Sequence, residues 1–376
     1  MKIWGITGTN GKTTCAWITA EFIRADPSRK CALITTVETD TLSRKLYTGY
    51  TTPPLATLKE LFAEMRLNGA TDCVMEVSSH AIHQRRTGDT VFSGGAFTNL
   101  SQDHLDYHRT MEEYFRVKLS FAERIASARW GEGGVAPAHL GRRDFPPYIV
   151  CLDGDMGREM FNAVGNLPLN VMGISSTSSK FDLSRLQLKG AYNRSNVLVA
   201  AALAESAGIS HDIIQSVIPT LKPRWGRLEN VSSKSAAQVY VDFAHTPDGL
   251  KKVLTAAREF TKGKLWVVFG AGGDRDRAKR PLMGRAASGI ADEIVITSDN
   301  PRGEEPKAII EDILSGIENK KPFIECDRRK AIHLALSSAA ADDVVLVCGK
   351  GHETTQEIAG EKYPFDDREE IRAYAL

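Results

Sequence analysis

The chain has 376 residues, 42% of them hydrophobic and 25% charged, with 31 Gly and 15 Pro. This composition excludes a largely disordered or collagen-like chain and fits a globular protein of two or three domains. Lys and Arg number 48 against 47 Asp and Glu, so no global basic field speaks for nucleic-acid or membrane-surface binding.

The predicted elements alternate in type from the first residue. Short apolar runs predict strands over Lys2–Thr7, Ala32–Thr36, Cys73–Val77, Gly95–Asn99 and Tyr148–Leu152. Helical patterns fall between and after them, over Thr13–Ala25, Thr57–Asn68, Met111–Ala126 and Asn193–Ala207. The second half repeats the alternation. Strands are predicted over Val239–Phe243, Leu265–Gly270, Glu293–Thr297 and Val344–Gly349, and helices over Gly249–Thr261, Lys279–Ala291, Lys307–Gly316 and Arg329–Ala339. Such alternation predicts an α/β protein with parallel, doubly wound sheets. Trp130–Pro147, rich in Gly, Pro and Arg, reads as an irregular excursion, and Ser175–Ser179 as a short loop. Pro223 biases Lys222 away from helix, so the domain boundary is placed there: 1–222 and 223–376.

No apolar run approaches the ~20 residues needed to cross a bilayer. The first residues lack the apolar stretch of a signal peptide. The six cysteines lie far apart without a C-x-x-C pair, which fits a reducing compartment. A cytoplasmic protein with no membrane insertion is expected.

Between the first strand and helix lies Thr7-Gly8-Thr9-Asn10-Gly11-Lys12-Thr13-Thr14. Backbone N–H groups of such a loop, with the positive end of the helix, cradle phosphates. Lys12 suits the β/γ-phosphates and the Thr13 hydroxyl a Mg²⁺ ion. The first glycine of the general P-loop pattern falls on Ile6, with Gly5 one residue earlier. A phosphate loop alone implies only a nucleotide-using enzyme.

The string Gly5–Thr14 resembles the phosphate loop of the Mur ligases, ATP-dependent amide-forming enzymes of peptidoglycan assembly. Further segments resemble the MurE type in the same order along the chain. They are Thr51-Thr52-Pro53, Glu76–His80, Asn99–His108 with Lys118 beyond it, Gly190–Asn196, Gly226–Glu229, Asp242–Asp248, Gly270–Asp276, Asp299–Arg302 and Gly349–Glu353. The resemblance implies a P-loop central ATPase domain with a parallel sheet, followed by a Rossmann-like C-terminal α/β domain. MurE-type ligases normally carry a preceding domain that binds the UDP-sugar end of the acceptor. Here the phosphate loop starts at residue 5, so that domain is expected to be missing, or supplied by a separate domain or protein. The chain is expected to be a monomer.

The implied reaction has two steps. An acceptor carboxylate attacks the γ-phosphate of ATP to give an acyl phosphate, and an amine then displaces phosphate to form the amide. The resemblance assigns Gly8, Thr9, Asn10, Gly11, Lys12, Thr13, Thr14, Asn193, Asn196, Arg227 and Asp242 to ATP. It assigns Thr13, Glu76, His104 and Lys118 to two Mg²⁺ sites. Glu76 follows an apolar strand at the end where α/β sheets place ligands, and a hard carboxylate suits Mg²⁺. Imidazole is an uncommon Mg²⁺ ligand, so His104 taken alone reads as a hydrogen-bonded loop histidine. Lys118 taken alone reads as a solvated helix lysine. Only the resemblance makes it a carbamylated lysine, a cation turned into a carboxylate. Lys12, His104, Lys118, Arg227 and His245 form the implied catalytic set.

The amine pocket is implied by Arg275, Asp299, Asn300, Arg302, Gly349 and Glu353. Asp299-Asn-Pro-Arg302 is the string of ligases that add meso-diaminopimelate. Arg302 offers a planar fork for the distal carboxylate, and Glu353 faces the distal ammonium. Thr51, Thr52, Ser78, Gln84 and Arg86 match residues that hold the peptide end of the acceptor, L-alanyl-D-glutamate. Two other readings carry weight. One is a different ligase on this scaffold, extending folate or a poly-amino acid. The other is a nucleotide-binding subunit of an amidating complex, a type whose four-cysteine zinc insert is missing here.

Overall fold

A computed structural model describes residues 1–127, 141–178 and 180–374. They divide into two compact units. One comprises Met1–Ser101 with His108–Leu221, the other Gln102–Tyr107 with Lys222–Leu376.

The elements of the first half, in chain order, are β1 (Lys2–Thr7), α1 (Lys12–Arg24), β2 (Cys31–Ile34), β3 (Thr39–Asp40), β4 (Lys45–Leu46), α2 (Leu55–Leu67), β5 (Asp72–Glu76), α3 (Ser79–His83) and β6 (Gly94–Phe97). They continue with α4 (Leu105–His108), α5 (Met111–Ser127), β7 (Pro147–Cys151), α6 (Asp155–Val164), β8 (Asn170–Ile174), α7 (Ala191–Ser206) and α8 (His211–Val217). The eight strands form one sheet in the order β4-β3-β2-β5-β1-β6-β7-β8. All pairings are parallel except those of the two short edge strands β3 and β4. β1 sits near the middle, between β5 and β6, so the loop that follows it opens where the strand order reverses, the place where such sheets bind ligands.

Two features explain why α1 and α7 lie flat on this sheet. α1 is buried from Thr13 to Ala20 and again at Phe22 and Ile23, and α7 is buried from Val197 to Ala204. Small residues on α7, Ala200 to Ala202, let the helices approach closely. The parallel strands, covered on both faces, read as continuous apolar runs. Ile34, Met75, Phe97, Tyr148 and Val150 are fully buried beside Phe121 of α5. At the start of β5 the Asp72 carboxylate accepts Trp4 Nε1 at 3.0 Å and Arg29 in a two-point pair at 2.6 and 2.8 Å.

The second half contains β9 (Glu229–Asn230), β10 (Gln238–Asp242), α9 (Pro247–Arg258), β11 (Leu265–Phe269), α10 (Lys279–Ser288), β12 (Glu293–Ile296), α11 (Pro306–Leu314) and β13 (Phe323–Ile324). After them come α12 (Arg328–Ser338), β14 (Val344–Cys348), β15 (Thr355–Ile358), β16 (Glu361–Pro364) and α13 (Asp367–Ala373). Six strands form a sheet in the order β13-β12-β11-β14-β10-β9, antiparallel only at β9. Val239, Val241, Val268, Val295, Val345 and Val347 fill its core. β15 and β16 form a separate hairpin.

The predicted strands and helices are all present, with ends shifted by at most three residues. The sequence reading placed Gln102–Tyr107 in the first domain, but this segment groups with the second unit. There Gln102 Nε2 donates to Asp276 at 3.2 Å, and Asp103 pairs with Lys279 at 3.0 Å. The excursion over Trp130–Pro147 falls largely outside the described residues. Its described end is a short 3₁₀ turn, Arg142–Asp144, running into β7 at Pro147. Ser179 also lies outside them.

Candidate active site

The phosphate loop is held by its own neighbours rather than left open. Thr9 N–H donates to Asn99 O at 2.9 Å and Asn10 N–H to Asn99 Oδ1 at 2.9 Å. Asn10 O accepts from Asn99 Nδ2 at 2.9 Å and from the Thr98 hydroxyl at 2.7 Å. The Thr9 hydroxyl lies 3.1 Å from the Tyr114 hydroxyl. Gly11 is the N-cap of α1 with φ 83°, the left-handed conformation that glycine adopts without cost. Thr13 and Thr14 follow, both buried. The loop therefore presents the N-terminus of a buried 13-residue helix, an electrostatic site for anions.

Two lysines meet at one carbonyl. Lys12 Nζ donates to Gly8 O at 3.0 Å and to Thr9 O at 2.8 Å. Lys118 Nζ reaches the same Gly8 O at 2.8 Å from α5, 1% exposed and 4.6 Å from the centre of the Tyr114 ring. Local sequence marks Lys118 as a surface lysine. Tertiary packing brings it to the phosphate loop. Beside it, His108 stacks on Tyr114 at 5.0 Å and shares a 2.9 Å hydrogen bond with Ser79. Burial, helped by nearby His80, Lys118 and His83, pushes its pKa down to about 4.

Glu76 ends β5 with its side chain 1% exposed. Its carboxylate accepts from the Thr36 N–H at 2.8 Å and from the Thr36 hydroxyl at 3.3 Å. That hydroxyl also touches the Thr51 hydroxyl at 2.9 Å. Thr52 donates to Glu76 O at 2.9 Å and accepts from Ser78 N–H at 3.0 Å. Arg86 donates to Thr52 O at 3.2 Å and to Gln84 Oε1 at 2.8 Å, with its guanidinium 5.5 Å from the Tyr50 ring centre. The structure thus brings Glu76 together with all five residues expected to hold the acceptor. Asn193 and Asn196 are joined through Asn196 Nδ2 and Asn193 Oδ1 at 3.3 Å. Asn196 Oδ1 also accepts from Cys15 Sγ at 3.4 Å. A Cβ placed on Gly11 would stand 2.5 Å from Asn196 Oδ1, so this asparagine backs the phosphate loop.

His104 belongs to the second unit, whereas Thr13, Glu76 and Lys118 belong to the first. Among the described residues no three His, Cys, Asp or Glu side chains converge so as to hold a metal ion by themselves. His104 has φ 57°, an uncommon conformation for a residue with a side chain. Its Nε2 lies 3.4 Å from Asp103 Oδ2, and His245 Nε2 lies 3.7 Å from the same oxygen. Burial alone would raise the Asp103 pKa. The Lys279 ammonium and the two imidazoles outweigh it and hold the carboxyl well below the usual carboxylate range.

Around the end of β10, Asp242 accepts Leu228 N–H and Ala244 N–H, each at 2.7 Å. Its pKa is raised by burial, against the pull of Arg227. Arg227 lies over the Phe243 ring at 4.5 Å. His245 Nδ1 lies 2.9 Å from Phe243 O. His352 packs 4.9 Å from the same ring and is pushed down to about 3 by burial and by Arg227.

The expected amino-acid residues do come together in the second unit. Asn300 Nδ2 donates to Glu353 Oε2 at 2.8 Å. Arg302, at φ 51°, donates to Gly273 O at 2.8 Å and pairs with Glu357 at 3.3 Å. Arg275 is more exposed and donates to Asp274 O at 2.8 Å. Lys350, missed in the sequence reading, is fully buried. It bridges Asn300 Oδ1, Glu353 Oε2 and Thr355 O at 3.1, 3.0 and 2.6 Å. The hairpin β15–β16 was missed as well. Gln356 donates to Asp299 O at 2.7 Å, and Arg302 N–H to Glu357 O at 3.1 Å. A lysine between two glycines in Gly349-Lys-Gly351 was the signal for the first; polar Thr355–Ile358 held none for the second.

Two family profiles match the chain. One, described as "Mur ligase middle domain", spans residues 6–130, and the other, "Mur ligase, glutamate ligase domain", spans 226–351. The chain is 40% identical to the UDP-N-acetylmuramoyl-L-alanyl-D-glutamate–2,6-diaminopimelate ligase of Coxiella burnetii, over 99% of this chain and 78% of that protein. It is 41% identical to the ligase of the same name from Aquifex aeolicus, over 99% and 77%. A solved structure of a ligase of that name superposes with a TM-score of 0.60 at 32% identity, covering 99% of this chain and 77% of the other. The Mycobacterium tuberculosis folylpolyglutamate synthase complexed with ADP and AMPPCP superposes with a TM-score of 0.67 over 93% of this chain and 88% of the other. At 18% identity that is a likeness of fold alone.

Proposed function

This chain belongs to the Mur ligase family, and from that premise we propose that it joins meso-diaminopimelate, or a close diamino-acid relative, to the D-glutamyl end of a peptide acceptor. As a Mur ligase it is an enzyme that forms amide bonds with the use of ATP. The observation that carries the finer reading is the cluster of Asn300, Arg302, Lys350 and Glu353 in the second unit, built on the Asp299-Asn-Pro-Arg302 string. Its Arg302 guanidinium, oriented by Gly273 O and Glu357, suits a carboxylate. Glu353 suits an ammonium. A diamino acid with a distal carboxylate carries both.

In this reading the acceptor carboxylate attacks the γ-phosphorus and its bond to the β,γ-bridging oxygen breaks, releasing ADP. The diamino acid's amine then attacks the acyl carbon, loses a proton, and inorganic phosphate leaves. Lys12 and the N-terminus of α1 stabilise the phosphates. Thr51, Thr52, Ser78, Gln84 and Arg86 orient the acceptor, converting a bimolecular encounter into a positioned one. On the second unit, Arg227 and Asp242 are proposed to act on ATP, and Arg227, His104 and His245 in catalysis.

Mg²⁺ fits the donors of the first unit. One carboxylate (Glu76) and one hydroxyl (Thr13), with substrate phosphates, is how that ion is commonly held, and it would neutralise charge on the transferred phosphoryl group. Two ammonium groups at the single Gly8 carbonyl repel each other. Addition of CO₂ to the deprotonated Lys118 amine, with release of a proton, would give a carbamate that replaces that repulsion with attraction and adds a hard oxygen donor. Among the described residues no helix is long and apolar enough to cross a membrane.

The test is mass spectrometry of products formed from ATP, meso-diaminopimelate and a series of acceptors with and without the UDP-sugar. A new amide with a D-glutamyl acceptor, with ADP and phosphate in equal amounts, is expected. Ligation of lysine or glutamate in preference to the diamino acid refutes the reading.

A further inference from the structure

We propose that Arg328 is a positioning residue for the amino-acid site, its buried guanidinium setting the spacing of the two strand ends from which Asp299 and Gly349 emerge. The proposal rests on the reading of that cluster as the diamino-acid pocket. Arg328 opens α12 and is 1% exposed. Its Nε and one terminal nitrogen grip the Asp367 carboxylate, each at 2.7 Å, and this pair has no exposed side-chain surface. The fork is thereby fixed in its plane. Its remaining N–H groups donate to Ser298 O at 3.2 Å and Cys348 O at 2.9 Å.

Those two carbonyls are the last before the pocket loops. Ser298 precedes Asp299 and Cys348 precedes Gly349. Their strands, β12 and β14, are not neighbours, because β11 lies between them in the sheet. No ladder hydrogen bond joins the two ends, and one guanidinium does. A lysine has a single nitrogen and cannot hold a carboxylate at two points and two carbonyls at once. Replacing a buried ion pair by packed apolar side chains is often neutral for stability, so the geometry it enforces is the better account of its presence here. The cation also lies close to the buried Asp299 carboxyl. There Lys350 and Arg328 outweigh the effect of burial and lower the pKa.

The test compares Arg328→Lys and Asp367→Asn with the wild type, by phosphate release with a D-glutamyl acceptor held saturating while ATP and diaminopimelate are varied separately, and by thermal unfolding. The expected result is a KM for the diamino acid raised by about tenfold or more, with the KM for ATP unchanged. A lowered melting temperature with both KM values unmoved overturns the assignment, as does an equal rise in both or the failure of both variants to fold. Wild-type protein that releases no phosphate with ATP, the diamino acid and the D-glutamyl acceptor together overturns the functional reading, and this assignment with it. A competent wild type with unmoved variants overturns the assignment alone.

Discussion

Gly11→Ala probes the phosphate loop most directly. Gly11 sits at φ 83° and ψ −8° at the N-cap of α1. An alanine forced into this left-handed region costs about 1–2 kcal/mol. The new Cβ would lie 2.5 Å from Asn196 Oδ1, inside any tolerable contact, so Asn196 must turn. Turning it gives up its hydrogen bonds to Cys15 and Asn193, at about 1 kcal/mol. The total of about 2–3 kcal/mol lowers the melting temperature by about 4–12 °C for a unit of this size. Gly208→Ala is the control. It has φ +100° in the same unit but nothing within 4 Å of its Cβ, so it carries the backbone cost of about 1–2 kcal/mol alone. The assay is thermal unfolding with and without ATP and Mg²⁺. Gly11→Ala should be the less stable of the two and lose most of the upward shift that ATP produces by binding the folded state, while Gly208→Ala keeps it. Equal stability of the two variants, with equal shifts by ATP, refutes both the clash and the placement of ATP on this loop.

Three further expectations concern the site. Lys12→Ala and Lys118→Ala should each lower ATP-dependent ligation by about a hundredfold or more, measured as phosphate release. Wild-type rates in purified Lys12→Ala would mean that the ATP site lies elsewhere. Arg302→Ala should raise the KM for the diamino acid well above any change in that for ATP, and equal changes count against the diaminopimelate reading. His352 titrates near 3 in the fold and near 6.5 when unfolded. As pH falls below about 6.5 the unfolded chain gains a proton that the fold refuses, so stability falls, by at most about 1.4 kcal/mol per pH unit, until about pH 3. Urea midpoints from pH 7 to pH 4 should therefore fall less steeply in His352→Phe, which keeps the packing on Phe243, and identical slopes would show that His352 is not the titrating group.

Sequence alone determined what depends on neighbours in the chain. Lys2–Thr7 is apolar and β-rich, Gly8 to Thr14 combine turn, cation and hydroxyl, and Thr13–Ala25 carries helix-forming residues. Strand, loop and helix therefore followed from local propensity and spacing. The edges of the fold did not. β8 is only half-buried along its length and interrupted by Gly173, and β15–β16 is polar and exposed at most positions, so neither shows a period. Tertiary structure decided where separated charges meet. Lys118 reaches a carbonyl 110 positions away, Asp103 finds Lys279 at a separation of 176, and Arg328 finds Asp367 at 39. Each of these side chains reads as solvated in its own stretch of chain. Burying such a charge costs several kcal/mol unless a partner answers it, and only the folded backbone brings that partner within 3 Å.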